Sequence, residues 1–268
     1  MSQHPYVTTW GAGEYRLMAE RLAPVAEAAV QAAEVKSNHR VLDVATGTGN
    51  AALLAADLGA EVVAVDFEPA LLQIAQSRAT ESAASVRWEN ADVETLPVPD
   101  AWANVVISVF GVMYAADHVR AARELARCVA TDGRIVLASW VPGGFMPAMG
   151  QALGEFLPPP PASSGPPSRW GDPSVLGELF GPTGMFVRTH STQNLTMVFD
   201  SEVHAADFLV RTAGNAMAER ERLTEQGRWS DLHAAVQSLV AARSQQINGQ
   251  HRIDFQYLLA TIAPAEES

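Results

Sequence analysis

A single cysteine, Cys128, is the only thiol in this chain of 268 residues, which excludes an internal disulfide framework. Basic runs are absent too. The chain sets 18 Lys and Arg against 30 Asp and Glu, a formal net charge of −12, and such a surface repels nucleic-acid phosphates and anionic membranes. No charge-free apolar run approaches the roughly 18 residues of a membrane span, and the first residues lack the basic start and apolar stretch of a secretory signal. The expectation is a soluble, cytoplasmic protein. His190, His204, His233 and His251 show no metal-ligand spacing, so no metal is assigned. There is no Tyr-x-x-x-Lys pair, no internal repeat and no second glycine loop.

What the chain does have is 48% hydrophobic residues, enough for a sizeable core, and one stretch that organises it. Val41 to Asn50 reads VLDVATGTGN and runs into the apolar, alanine-rich Ala51 to Leu58. This is a strand, a tight glycine turn and a helix start. Gly47 and Gly49 let a ligand lie almost against the main chain, where the N–H groups of the first helical turn face it. Asp43, inside the strand, is costly unless donors or a cation satisfy it. Either it braces the glycine turn alone, or it also meets a positively charged ligand.

Before this stretch, the aromatic-rich Tyr6 to Tyr15 precedes a helix over Arg16 to Ala33, interrupted or kinked at Pro24. Trp10 and Tyr15 either anchor that helix or cover a cofactor at the sheet edge. After it, the first crossover helix stops at Gly59. Glu61 to Asp66 (EVVAVD) is a second buried strand whose terminal acid stands where a parallel βαβ unit sets a carboxylate beside a ribose. Glu68 and Pro69 open the next helix, with Pro at its first position, through Arg78. Strands follow at Val86 to Ala91, Asn104 to Phe110 and Arg134 to Trp140, the last two separated by a helix through Val119, Ala122, Leu125 and Val129 that Asp132-Gly133 closes. Cys128 reads as a buried core residue rather than a nucleophile. This β–α repetition is that of a doubly wound, Rossmann-like α/β sheet with ligands outside the carboxyl ends of the strands. Asp43, Gly47, Asp66, Asp92, Phe110 and Trp140 fall at or just past such ends.

Leu157 to Pro167 (LPPPPASSGPP) is polyproline-like, a surface linker or a lid. Asp172 to Phe180 reads as a short helix, Met185 to Phe199 as a long or broken strand, Val203 to Arg222 and Trp229 to Gln246 as helices, and Ile253 to Ile262 as the final strand. One domain over 1–268 is expected, with a cofactor-binding core at 1–140, a helical, substrate-side cap at 141–252 and the last strand at 253–262.

Gly47, Gly49 and Ala52 fit G-x-G-x-x-A, a pattern shared by NAD sites and other nucleoside sites. Asp43 would repel a pyrophosphate but suits an ammonium or sulfonium group, and Asp92 could accept from an adenine amine. Together with the missing hydride-transfer constellation, these favour S-adenosylmethionine over NAD. VLDVATGTGN, VVAVDFEPALL, ENADVETLPVPD, NVVISVFGVMYAADH and DGRIVLASW, in this order, resemble the successive motifs of class I S-adenosylmethionine-dependent methyltransferases, in particular the ubiquinone/menaquinone-biosynthesis branch. The likeness spans about Trp10 to Trp140. It implies a seven-stranded, mostly parallel sheet with an antiparallel last strand, and S-adenosylhomocysteine as product. It also implies roles: Asp43 and the loop Ala45, Thr46, Gly47 and Gly49 near the methionine moiety, Asp66 on the ribose, Phe67 against the adenine, Asp92 and Val93 on the adenine amine, and Val109 and Phe110 beside the transferred methyl.

Methyl transfer from a sulfonium needs alignment and desolvation rather than a covalent nucleophile. If a base is required, the candidates are Tyr114 and His118, although Tyr114 reads equally as packing and His118 as a surface or capping residue. A small lipophilic or aromatic acceptor is expected against Tyr114, Trp140, Phe145, Met146, Met149, Arg169 and Trp170, with no nucleic acid as partner and a homodimer allowed. The alternatives are a fold that binds its cofactor without transfer and, further off, an NAD-dependent oxidoreductase.

Overall fold

A computed structural model describes residues 10–82, 84–159 and 165–265. The first residues of the aromatic-rich N-terminal stretch, 6–9, and the middle of the proline segment, 160–164, lie outside them. In chain order the elements are α1 (Tyr15–Ala32), β1 (Arg40–Val44), α2 (Asn50–Asp57), β2 (Glu61–Asp66), α3 (Pro69–Ser82), β3 (Val86–Asn90), β4 (Ala103–Val109), α4 (His118–Cys128) and β5 (Val129–Trp140). There follow α5 (Phe145–Gly154), α6 (Pro173–Phe180), β6 (Met185–Phe199), α7 (Glu202–Thr212), α8 (Gly214–Ala218), α9 (Arg220–Glu225), α10 (Trp229–Arg243), β7 (Gln245–Ile247) and β8 (Gln250–Pro264).

The sheet runs β3-β2-β1-β4-β5-β8-β6, with β7 paired to β8 off this path. β1 pairs parallel with β2 and β4, β2 with β3, and β4 with β5, whereas β8 runs antiparallel to β5 from Ile135↔Ile262 to Trp140↔Tyr257. The expected seven-strand path is therefore present, with a short eighth strand added. Strands buried on both faces must be apolar along their whole length, and Val41, Leu42, Val62 to Val65, Val105 to Ile107 and Ile135 to Ala138 are all buried. Each such aliphatic side chain contributes about 1.5–3 kcal/mol on burial.

The chain divides into two compact units. One comprises Leu22–Pro142, Ser163–Gln193 and Tyr257–Ser268 and holds the parallel strands. The other comprises Met1–Arg21, Gly143–Ala162 and Asn194–Gln256 and holds α5 and α7 to α10. In the second unit α10 packs on α5 and α7, and Arg222 Nη2 donates to the Phe156 carbonyl at 2.8 Å.

Several local readings change. α1 continues through Pro24 without interruption. α4 ends at Cys128, so Val129 and Asp132-Gly133 belong to β5, where the pairing with β4 shifts register between Ala103 and Val105. Gly133 is needed there for space, since a Cβ would stand 2.8 Å from the Asn104 carbonyl oxygen. Val203 to Arg222 is not one helix but parts of three, because Ala213 takes an extended conformation between α7 and α8. Among the described residues no helix is long and apolar enough to cross a membrane, and no cluster of His, Cys, Asp or Glu could hold a metal ion.

Candidate functional site

The glycine turn leaves β1 at Val44 and enters α2 at Asn50, with Ala45, Gly47 and Gly49 at φ of 55°, 56° and 86°. Only the alanine among them pays a steric penalty there, about 1–2 kcal/mol. A Cβ on Gly49 would stand 2.8 Å from the Trp88 ring. Two buried carboxylates hold the turn. Asp43 Oδ2 accepts from the Thr46 hydroxyl at 2.6 Å and from the Ala52 N–H at 2.9 Å, so one oxygen ties the strand end to the first turn of α2. Asp66 Oδ2 accepts from the Gly47 N–H at 2.7 Å, and its Oδ1 accepts from the Glu68 N–H at 2.9 Å. The bracing role weighed for Asp43 is thus present in the structure.

Both carboxylates lie almost out of reach of solvent, Asp43 2% and Asp66 5% exposed. Burial pushes each up to about 6, only partly offset by the hydrogen bonds each accepts, and the proximity of Asp66 adds to the rise at Asp43. Desolvated carboxylates at the open end of a sheet favour a cationic ligand, which would draw both back to the ionised form.

Three supporting residues carry no motif and were missed in the sequence. Arg78 on α3 donates from Nη1 to the Thr48 carbonyl at 2.6 Å and to Asn50 Oδ1 at 2.8 Å, which fixes the far side of the turn. Ser108, buried in β4, donates to the Val44 carbonyl at 2.7 Å and accepts from the Val112 N–H at 3.0 Å. It was visible as the lone hydroxyl in NVVISVF. Gly111 is the third, since a Cβ there would come within 2.3 Å of the Ala45 Cβ. Gly111→Ala is expected to push the two loops apart and lower the unfolding midpoint by several degrees, measured by calorimetry; an unchanged midpoint would show that the contact yields freely.

Past β4, Phe110 also takes a left-handed conformation, φ 58°, with its N–H donating to the Ala138 carbonyl at 2.8 Å. A bulky residue holds that conformation only where surrounding contacts impose it. Here its ring stacks on Trp140, centroids 3.5 Å apart and planes 7° apart, and meets Tyr257 edge-on at 5.8 Å. Tyr257 in turn donates to Gln193 Oε1 at 2.7 Å. The sequence offered Phe110 and Trp140, but Tyr257 joins them only through the antiparallel pairing of β8 with β5. On the other flank, Asp92 is partly exposed, and its Oδ1 accepts from the Glu94 N–H at 2.8 Å.

His118 is corrected from a surface position to a buried one, 1% exposed, at the start of α4 just after the capping Asp117. Its ring meets Trp170 edge-on at 5.7 Å, and burial followed by the charge of Arg169 lowers its pKa, which favours the neutral ring. Burial raises Tyr114 to about 12. Trp170 is corrected from a lining residue to core: it has no exposed surface and sits among His118 and Phe180, while Gly171 beside it packs directly on the Trp140 carbonyl. Cys128 is buried, and desolvation lifts its thiol to about 12, which removes any nucleophilic role.

Trp10, Tyr15, Phe145 and Met146 belong to the other unit. Trp10 and Tyr15 meet edge to face at 5.9 Å. Phe145 and Met149 are buried, Phe145 against Phe255 with centroids 4.8 Å apart, and Phe145 also lines a pocket of that unit with Arg243, Arg252 and Asp254.

The turn, its two carboxylates and strands β1 to β4 fall within a stretch of the chain that is similar to methyltransferases. Residues 41–133 match the model of the methyltransferase domain. The uncharacterized protein Rv1405c of Mycobacterium tuberculosis is 39% identical over 173 residues, 64% of this chain and 63% of that protein, so the chain spans less than two thirds of that relative's length. A demethylmenaquinone methyltransferase of Thermus thermophilus is 41% identical over 116 residues, 42% of this chain and 53% of that enzyme. Among solved structures, the YcgJ protein of Bacillus subtilis shares the fold with a TM-score of 0.61 at 21% identity, covering 90% of this chain and 98% of that one.

Proposed function

We propose that this protein transfers a methyl group from S-adenosylmethionine to a small, lipophilic or aromatic acceptor. The observation that supports the acceptor class is the stacked Phe110–Trp140 pair with Tyr257 at its edge, a nearly buried aromatic cluster at the carboxyl ends of β4 and β5, in the sheet whose strands β1 and β2 carry Asp43 and Asp66. The residues present fit the cofactor: a turn with no room for extra side chains, and two desolvated carboxylates that gain from a nearby cation. When bound, the sulfonium supplies an activated methyl group and a neutral leaving group. In this reading Asp66, Phe67, Asp92 and Val93 hold the adenosine, Asp43 with Ala45, Thr46, Gly47 and Gly49 faces the methionine moiety, and Val109 and Phe110 lie beside the methyl.

The chain's own contribution is alignment and exclusion of water. Phe110, held against Trp140, keeps the approach apolar, which raises the reactivity of an oxygen or carbon nucleophile that would otherwise be hydrated. His118 and Tyr114 are given no proton transfer, since His118 is packed edge-on against a buried ring and Tyr114 retains its proton far above neutral pH. An acceptor with an already acidic proton needs no stronger base.

The test is transfer of labelled methyl to a panel of phenols, quinols, aliphatic amines and duplex oligonucleotides. Label on the phenolic or quinol acceptors, lost in Phe110→Ala, is the expected result. Label confined to the amines or the oligonucleotides overturns the acceptor class.

A further inference from the structure

The unit that holds α5 and α7 to α10 carries a pocket of about 320 Å³, lined in part by Phe145 of α5, Arg243 at the end of α10, Ile247 of β7, and Arg252 and Asp254 of β8. That volume lies at the lower end of the range for small-molecule sites. Strand alternation supplies one wall. Ile253 and Phe255 are buried on one face of β8, which leaves Arg252 and Asp254 exposed on the other.

The charges of the lining do not balance. Arg127 and Arg134 each pair with a carboxylate, at 2.8 and 2.7 Å. Among the described residues neither Arg243 nor Arg252 has such a partner, and Arg243 Nη1 donates only to the Gly143 carbonyl, at 3.3 Å. Asp254 is the acid of the lining, and its Oδ1 accepts from the Thr196 hydroxyl at 2.6 Å. Two guanidinium groups against one carboxylate leave the pocket cationic in a chain of net charge −12. Screening confines fields to about 8 Å at physiological salt, so the local pair outweighs the acidic surface.

A guanidinium fork matches the two oxygens of a carboxylate. Asp254 would repel a second negative charge on the ligand, and Phe145 with Ile247 gives the lining an apolar part. We propose that this pocket binds a small aromatic monocarboxylate, its carboxylate held by Arg243 and Arg252 and its ring toward Phe145 and Ile247. The site is independent of the S-adenosyl reading.

Ligand-observed NMR titration of the full chain, without added cofactor, tests this with benzoate, its neutral isostere benzamide and inorganic phosphate as probes. Benzoate is expected to bind about tenfold more tightly than benzamide or phosphate, because a charge-assisted pair is lost in the first and the apolar contact in the second. Arg243→Met and Arg252→Met should each weaken benzoate about tenfold and leave benzamide unchanged. Both side chains are exposed, so neither change should lower the unfolding midpoint appreciably. Arg243→Lys and Arg252→Lys keep the charge without the fork; they should weaken benzoate less, and they replace a methionine variant that fails to fold. Benzoate binding undiminished in either arginine position, equal binding of benzamide, tighter binding of phosphate, or no binding of any probe overturns the proposal. None of these results bears on the S-adenosyl site.

Discussion

Asp66→Ala is expected to lower the affinity for S-adenosylhomocysteine by about a hundredfold while leaving the stability of the ligand-free protein at pH 8 almost unchanged. The two effects separate because the carboxylate does two opposed things. It accepts the Gly47 and Glu68 N–H groups at 2.7 and 2.9 Å, and leaving these two buried donors unpaired costs about 1–3 kcal/mol each. Yet burial has pushed its pKa from 3.8 to about 6, so carrying the charge at pH 8 costs the folded protein about 3 kcal/mol. Removing the carboxylate removes that cost as well, and the two terms come near to cancelling. What does not cancel is the position of the turn: without Asp66, Gly47 is no longer drawn toward β2, and the backbone that would face the cofactor loses its place. Titration calorimetry and thermal unfolding on the same variant check both halves. A variant that binds as tightly as wild type would show that the turn holds itself.

Cofactor affinity should rise steeply with pH between about 5 and 7 and level off above. Asp43 and Asp66 both have folded-state values raised to about 6 from 3.8. In the ligand-free protein the sign follows directly: stability associated with these two acids is fully present below about 3.8, where both are protonated in either state, and is lost as pH rises through about 6. A sulfonium or ammonium group reverses this by favouring the ionised forms, so binding releases protons near pH 6. If both must ionise, affinity at pH 5 falls about tenfold for each, or roughly a hundredfold below its value at pH 7. Measuring the dissociation constant across that range, with proton release from the buffer dependence of the binding enthalpy, tests it. Affinity independent of pH would mean that the carboxylates keep their protonation state when the ligand binds.

The cofactor half of the chain was legible because its signals are local. Apolar runs mark β1, β2, β4 and β5, Gly47 and Gly49 mark the turn, and Asp66 falls at a fixed distance beyond them; each follows from strand burial or backbone freedom within a few residues. The partners of these residues were not legible, since nothing in the sequence brings Arg78 to Thr48 or Tyr257 to Phe110. Glu68 was seen only as a helix start, because the burial of its carboxylate depends on packing. The late region failed for another reason. Reading Trp229 to Gln246 as helix absorbed Gln245 and Gln246 of β7 into it, although Asn248 and Gly249, with φ of 52° and 79°, form a two-residue hairpin turn that joins β7 to β8. The Asn-Gly pair was a strong signal, overridden by the alanine-rich stretch before it.

Equilibrium dialysis of the full chain against labelled S-adenosylmethionine at pH 7.5 tests the central claim, that the turn between β1 and α2 with its two buried carboxylates is an S-adenosyl site. One equivalent bound, displaced by S-adenosylhomocysteine but not by NAD, and much reduced by Asp43→Ala is the expected result. No binding, or displacement by NAD, would contradict it.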